Sequence, residues 1–228
     1  DSRFGGRDRL YLQHGADHIY DYISAPGDGI IEPGYVAWWG FEDKYLYEYA
    51  RQELPKIAQQ SRPFAFTMLT VDTHHIGGYL CDLCGSEYDE QYENVFACAS
   101  RQLYDFVQWL QAQDFYENTT IIIIGDHPSM DREYIDRNVP EDYERLVYNC
   151  IINAPIEPSM EKSRVFSTLD MFPTTLAAMG ATIDGDRLGL GTNLFSDTPT
   201  LAEAYGGKTF DSEISKPSNY YDHRFLLK

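Results

Sequence analysis

The chain has no run of about eighteen consecutive apolar residues, the length a membrane-spanning helix requires. It also opens on no basic-then-apolar leader, so the sequence as it stands is expected neither to cross a membrane nor to carry a signal peptide. Positive charge is scarce: 18 Lys and Arg stand against 36 Asp and Glu, a formal net charge of −18. That balance argues against nucleic acid as a partner and against docking on anionic lipid by charge alone. Any anion this chain handles must be met locally, by a cation or a few placed basic groups. Cysteine is sparse too, with Cys81, Cys84, Cys98 and Cys150 only. No second CxxC or HxxxH follows Cys81-x-x-Cys84 to complete a zinc ribbon, so a structural zinc site is not expected. In an oxidising compartment a disulfide should join Cys98 to one member of the pair, and Cys150, in an apolar stretch, should be a buried thiol. No repeat and no low-complexity tract is present.

What remains is enough to build a core. With 228 residues, 43% of them hydrophobic, the chain is expected to form one domain. Thr119 to Ile124 is a β-branched apolar run that ends abruptly in Gly125-Asp126-His127. Such a run reads as a strand buried on both faces, which points to a parallel sheet covered by helices. Pro63 to Val71 reads as a second strand running into Asp72-Thr73-His74-His75, and Val147 to Asn153 as a third. Between them, Phe41 to Gln59 and Tyr88 to Ala112 show helical spacing, the first with a distortion expected at Pro55. Ser167 to Met179 reads as another helix, capped by Ser167 and stopped by Gly180. The fold class is therefore α/β, a largely parallel sheet flanked by helices. A right-handed crossover would place both polar clusters on one sheet edge. Residues 1–187 form the expected core, and Leu188 to Lys228 a surface-wrapping tail with a short helix at Leu201 to Tyr205.

The carboxyl edge of an open α/β sheet is where ligands bind, and a carboxylate beside an imidazole is a natural half-site for a divalent cation. Asp126 and His127 are the candidate metal ligands. His74 and His75 would alternate along a strand, so one of them at most should face the site. Arg7 follows Gly5-Gly6, which lets backbone approach a ligand, and its guanidinium can fork onto a phosphate. His14, His18 and His223 have no supporting spacing. The sequon Asn118-Thr119-Thr120 abuts a buried strand and is discounted.

In this order, Phe4-Gly5-Gly6-Arg7-Asp8 with His14-Gly15, Leu69 to His75, and Gly125-Asp126-His127 resemble the lipoteichoic acid synthase and phosphoglycerol transferase family of the alkaline phosphatase and sulfatase superfamily. Phe166 to Thr175 and Arg187 to Phe195 resemble scaffold motifs of the same family. The resemblance implies that Asp126 and His127 bind one divalent cation, manganese first, with magnesium or zinc also compatible. It implies that His74 contacts the phosphoryl group and that Arg7 holds the glycerol-phosphate head group. The implied reaction moves glycerol phosphate from phosphatidylglycerol, through a threonine intermediate, to an acceptor hydroxyl.

In the family, that threonine and an early acidic ligand lie upstream of the Phe-Gly-Gly-Arg segment, together with membrane helices. No threonine here matches the nucleophile; Thr73 and Thr168 belong to other elements. The chain thus resembles the carboxyl-terminal half of an extracellular catalytic domain, incomplete on its amino-terminal side and expected to be inactive alone. Its membrane attachment would run only through those upstream helices, at the outer face of a bacterial membrane. A sulfatase or phosphodiesterase of the same superfamily would use the same Asp-His pair with water as acceptor. A binding domain for glycerol-phosphate polymer is the alternative outside catalysis.

Overall fold

A computed structural model describes residues 1–160 and 163–226, so the last two residues of the expected tail, 227 and 228, lie outside the described residues. The chain forms two compact units: Asp1–Tyr116 with Pro128–Arg145, and Glu117–His127 with Leu146–Lys228.

The first unit is helical. After α1 (Arg7–Gln13), the long helices α2 (Asp43–Ala58) and α3 (Gln91–Gln111) carry its core, and α4 (Arg132–Asn138) follows later in the chain. Tyr47, Ala50 and Leu54 of α2 are buried, as are Tyr92, Val95, Cys98, Gln102, Phe106 and Leu110 of α3. The α3 set recurs every three or four residues, so one stripe faces inward. This stripe includes Cys98 and Gln102 and leaves Phe96 44% exposed. The Tyr47 and Phe106 rings meet at 5.0 Å. Each such buried side chain contributes roughly 1.5–3 kcal/mol. Helix α2 runs through Pro55 to Ala58.

The second unit holds the strands. β1 (Ile121–Ile124) and β2 (Asn149–Ile152) form a two-stranded antiparallel ladder pairing Ile121 with Ile152 and Ile124 with Asn149. The parallel pairing expected from the sequence is therefore replaced by an antiparallel one among the described residues. The premise fails on burial: Ile121 to Ile123 are only half-buried and Ile124 is 45% exposed, so this strand is not covered on both faces. Pro63 to Val71, expected as a strand, joins no ladder among the described residues. It shows the alternation of a one-sided strand, with Phe64, Phe66 and Met68 half-buried between exposed neighbours.

Helix α5 (Met171–Ala178) covers β1 and β2, and Ala177, Ala178 and Phe195 pack with Ile122, Ile151, Ala154, Ile156 and Ile183. A short hairpin, β3 (Arg187–Leu188) with β4 (Gly191–Thr192), leads to α6 (Leu201–Tyr205) and α7 (Gly207–Ile214). Asp170 organises the entry to α5. Its carboxylate accepts from the Ser167 N–H at 2.8 Å and from the Thr192 N–H at 2.7 Å. Thr174, fully buried, donates to the Asp170 carbonyl and accepts from the Leu194 N–H. The stretch Phe166 to Thr175 is thereby clasped to Arg187 to Phe195. Gly191 makes this possible, since a Cβ there would lie 2.1 Å from the Leu169 carbonyl oxygen. Gly180 ends the helix in the left-handed region at φ 87°, donating to Ala177.

Candidate active site

In the first unit, residues 72–79 form a turn-rich loop rather than the end of a laddered strand. Two aspartates fasten its start to α2. Asp43 accepts from the Val71 N–H at 2.7 Å and the Asp72 N–H at 3.1 Å, while Asp72 accepts from the Asp43 N–H at 3.2 Å. Both side chains are buried, and Asp72 Oδ1 has no hydrogen-bond partner. Burial pushes both carboxyls well above the usual carboxylate range, and at Asp72 the facing Asp43 charge adds to it. The rest of the loop is held from α3 and from the segment before α4. Tyr92 donates to the Thr73 carbonyl, Gln91 to the Gly77 and Gly78 carbonyls, and Gly77 N–H to Asp131 at 2.7 Å. Gly78 fits because a Cβ would meet Val95 Cγ1 and the Asp72 carbonyl oxygen at 2.7 Å.

This loop presents His74. Its Nδ1 lies 2.6 Å from the His75 carbonyl oxygen, which can only accept, so Nδ1 carries the proton. The other nitrogen, Nε2, is left for chemistry. The His74 and His75 rings stack at 4.4 Å, contrary to the expected alternation, because the backbone turns here instead of remaining extended. On its other side His74 meets Trp39 at 4.5 Å, Trp39 meets Phe4 at 6.3 Å, and the Arg7 guanidinium lies 5.3 Å from the Phe4 ring centre. Arg7 opens α1 after Gly5 and Gly6, both left-handed. The structure thus joins Arg7 to His74 through two aromatic rings. Such a strip limits the rotamers of an exposed arginine at a contact worth about 0.5–1 kcal/mol.

In the second unit, β1 delivers Asp126 and His127. Gly125 closes the ladder by donating to the Tyr148 carbonyl at 2.9 Å, and a Cβ at this position would press on Val147 at 3.3 Å. Asp126 Oδ1 accepts from the His127 N–H, and Asp126 Oδ2 stands 3.4 Å from His127 Nε2. Two donors each about 2.1 Å from one cation stand roughly 3.0–3.4 Å apart, so this oxygen and nitrogen fit a shared divalent ion. Both side chains are substantially exposed, 74% and 48%. Among the described residues, three or more potential ligands gather only at Cys81, Cys84 and Cys98. His74 and Arg7 lie in the first unit, and Asp126 and His127 in the second.

These residues fall within a match of the Sulfatase family profile to residues 1–181. The chain belongs to the sulfatase family. It is 30% identical over 212 residues to a protein named Phosphoglycerol transferase I from Xanthomonas axonopodis pv. citri, covering 90% of this chain and 29% of that protein. A protein of the same name from Escherichia fergusonii is 28% identical over 204 residues, 85% of this chain and 25% of its own length. The chain therefore spans between a quarter and a third of these relatives. No solved structure gives a significant match.

Sequence reasoning missed several residues that shape the His74 loop. Trp39 lies in a glycine-rich loop with no periodicity to mark it, although Trp38-Trp39 beside Gly40 is an unusual local signal. The Asp43–Asp72 pair is 29 residues apart, and nothing local announces it. Asp131 both caps α4, accepting from the Tyr134 N–H, and anchors Gly77.

Proposed function

We propose that this chain supplies part of the active site of a longer enzyme that transfers glycerol phosphate from phosphatidylglycerol to an acceptor hydroxyl. The observation that carries the reading is the Asp126–His127 donor pair, 3.4 Å apart at the end of β1, in a chain related to proteins named phosphoglycerol transferase. Asp126 and His127 would hold one divalent cation, with manganese first and magnesium or zinc as alternatives. When bound, that ion neutralises phosphoryl charge and acidifies a nucleophilic hydroxyl.

The chain's own residues have separate tasks. Arg7 places a planar, permanently charged fork on the phosphate of the head group, with Phe4 behind it. His74, its Nδ1–H held by the His75 carbonyl, offers Nε2 to the reaction. As the neutral ring it takes a proton from an attacking hydroxyl, and as the imidazolium it donates to a phosphoryl oxygen. Neither the nucleophilic threonine nor the remaining ligand is assigned within this chain. The half-covered β1 and the one-sided extension from Pro63 to Thr70 fit a larger sheet completed by other parts of the longer enzyme. The Cys84–Cys98 disulfide supports an oxidising, extracellular setting. Among the described residues no helix is long and apolar enough to cross a membrane.

The test uses the longer enzyme with manganese and vesicles containing phosphatidylglycerol, and measures diacylglycerol release. Asp126→Ala and His127→Ala should each lower the rate by about a hundredfold or more, and the chain alone should release none. Release by the chain alone that depends on Asp126 would refute its incompleteness, and full activity of both variants would refute the ligand assignment. A hydrolase is the second reading, favoured by the Sulfatase profile itself. Water as the acceptor would then give free glycerol phosphate, or sulfate from a sulfate ester, with no adduct on a sugar or polymer hydroxyl.

A further inference from the structure

One reactive cluster takes no part in the chemistry above. Cys81, Cys84 and Cys98 place three sulfurs within 4.8 Å of one another in the first unit. Cys84 and Cys98 form a disulfide, while Cys81 keeps a buried thiol with its Sγ 3.7 Å from Cys84 Sγ. The Cys84 N–H donates to the Cys81 carbonyl at 3.1 Å, closing the CxxC turn so that its two ends face each other. Gln102 follows Cys98 by one turn of α3, and its Nε2 lies 3.5 Å from Cys98 Sγ and 3.9 Å from Cys81 Sγ. Its Oε1 is buried without a hydrogen-bond partner, so the amide is oriented by the sulfurs and not by its oxygen.

We propose that this trio is a thiol–disulfide exchange site in which Cys84 is the shared sulfur, pairing with Cys98 or with Cys81. Because the three sulfurs lie within 4.8 Å of one another, the Cys81 side chain first rotates into line with the Cys84–Cys98 bond; Cys81 then gives its proton to solvent and the thiolate attacks Cys84 Sγ. The Cys81–Cys84 bond forms as the Cys84–Cys98 bond breaks, and Cys98 leaves as a thiolate that takes a proton from solvent. One disulfide and one thiol are present before and after, so no oxidant or reductant is consumed. Gln102 suits both directions, because the same amide N–H group faces the attacking and the leaving sulfur and favours negative charge on either.

The exchange changes what is tied down. With Cys84 on Cys98, the segment after the His74 loop is stapled to the middle of α3; with Cys84 on Cys81, that staple is gone and only the CxxC turn is closed. Burial raises the Cys81 thiol above its ordinary range, which makes the attack slow at neutral pH and faster in base.

The experiment incubates the oxidised chain with a maleimide, stops the reaction with acid, and maps linked and labelled peptides by mass spectrometry. Two products are expected: Cys84–Cys98 with labelled Cys81, and Cys81–Cys84 with labelled Cys98. The exchange limb should quicken by about tenfold per pH unit, since only the thiolate attacks. A Cys98→Ala variant exposed to glutathione disulfide should form Cys81–Cys84. Should that variant fail to fold, the map of the unaltered chain still decides. Cys98 that stays unlabelled at every pH while Cys81 is labelled would overturn the proposal, as would a folded Cys98→Ala variant that keeps two thiols.

Discussion

Each unit fastens a loop to the start of a helix with aspartate, and the two do it differently. In the second unit one carboxylate, Asp170, receives the Ser167 and Thr192 N–H groups and the Ser167 hydroxyl. In the first, two carboxyls face each other across the start of α2, share three backbone N–H groups between them, and leave Asp72 Oδ1 unpaired. The first arrangement matches one charge with three donors, so the clasp is complete. The second holds two acids where there are donors for little more than one, and a shared proton is the natural remedy. It is this second clasp that carries the His74 loop, so the fastening of that loop responds to pH.

The complete clasp should break hardest. Gly191→Ala sets a methyl 2.1 Å from the Leu169 carbonyl oxygen and 3.0 Å from the Pro173 ring, and neither a backbone carbonyl nor a rigid proline ring yields easily. The expected loss is at least about 3 kcal/mol in urea unfolding; an unchanged midpoint would mean that the two motifs do not clasp as described.

The paired clasp is sharpened by pH. The Asp43 and Asp72 carboxyls are raised to about 6 and about 7, against about 3.9 in an unfolded chain. The folded state therefore binds the proton more tightly than the unfolded state between these values. The resulting stability is fully present below about pH 4 and is lost as pH rises through 6 to 7. Asp72→Asn removes one of the two acids, so its unfolding free energy should fall less than that of the unaltered chain across this window. Stability rising through the same window by an amount that Asp72→Asn abolishes would reverse the assignment.

The smallest effect belongs to the aromatic strip beside the loop. Trp39→Ala removes the ring between Phe4 and His74. In the longer enzyme it should lower kcat/KM by about three- to tenfold, in line with an aromatic contact of roughly 0.5–1.5 kcal/mol. An effect as large as that of Asp126→Ala would give Trp39 a direct role in substrate contact.

Much of the local structure was legible in the residues. The spacing of Tyr92, Val95, Phe106 and Leu110 marked α3 to within three residues at either end, and Ser167 and Gly180 marked the limits of the α5 segment. These features depend on neighbours three or four residues apart, which a linear reading can see. Leu201–Tyr205 was equally local, capped by Thr200 and Glu203. Cys98 was expected to bond with one member of the CxxC pair, and the structure chose Cys84.

Strand direction was not legible. The Ile121 to Ile124 run specifies an extended apolar segment, but which partner it meets, and in which sense, depends on β2 and on how much of each face is covered. Nor did Asp72-Thr73-His74-His75 reveal its turn, because the bonds that bend it come from Asp43, Tyr92, Gln91 and Asp131, far away in sequence. By itself the sequence determined the helices, their caps, the adjacency of Asp126 and His127, and membership of the sulfatase family. Tertiary structure alone decided the antiparallel ladder, the paired aspartates, the strip from Arg7 to His74 and the third sulfur beside the disulfide. The physical reason is range: periodicity and capping are set within a helical turn, whereas two facing carboxyls, a stacked ring or a thiol beside a disulfide need groups that only folding brings together.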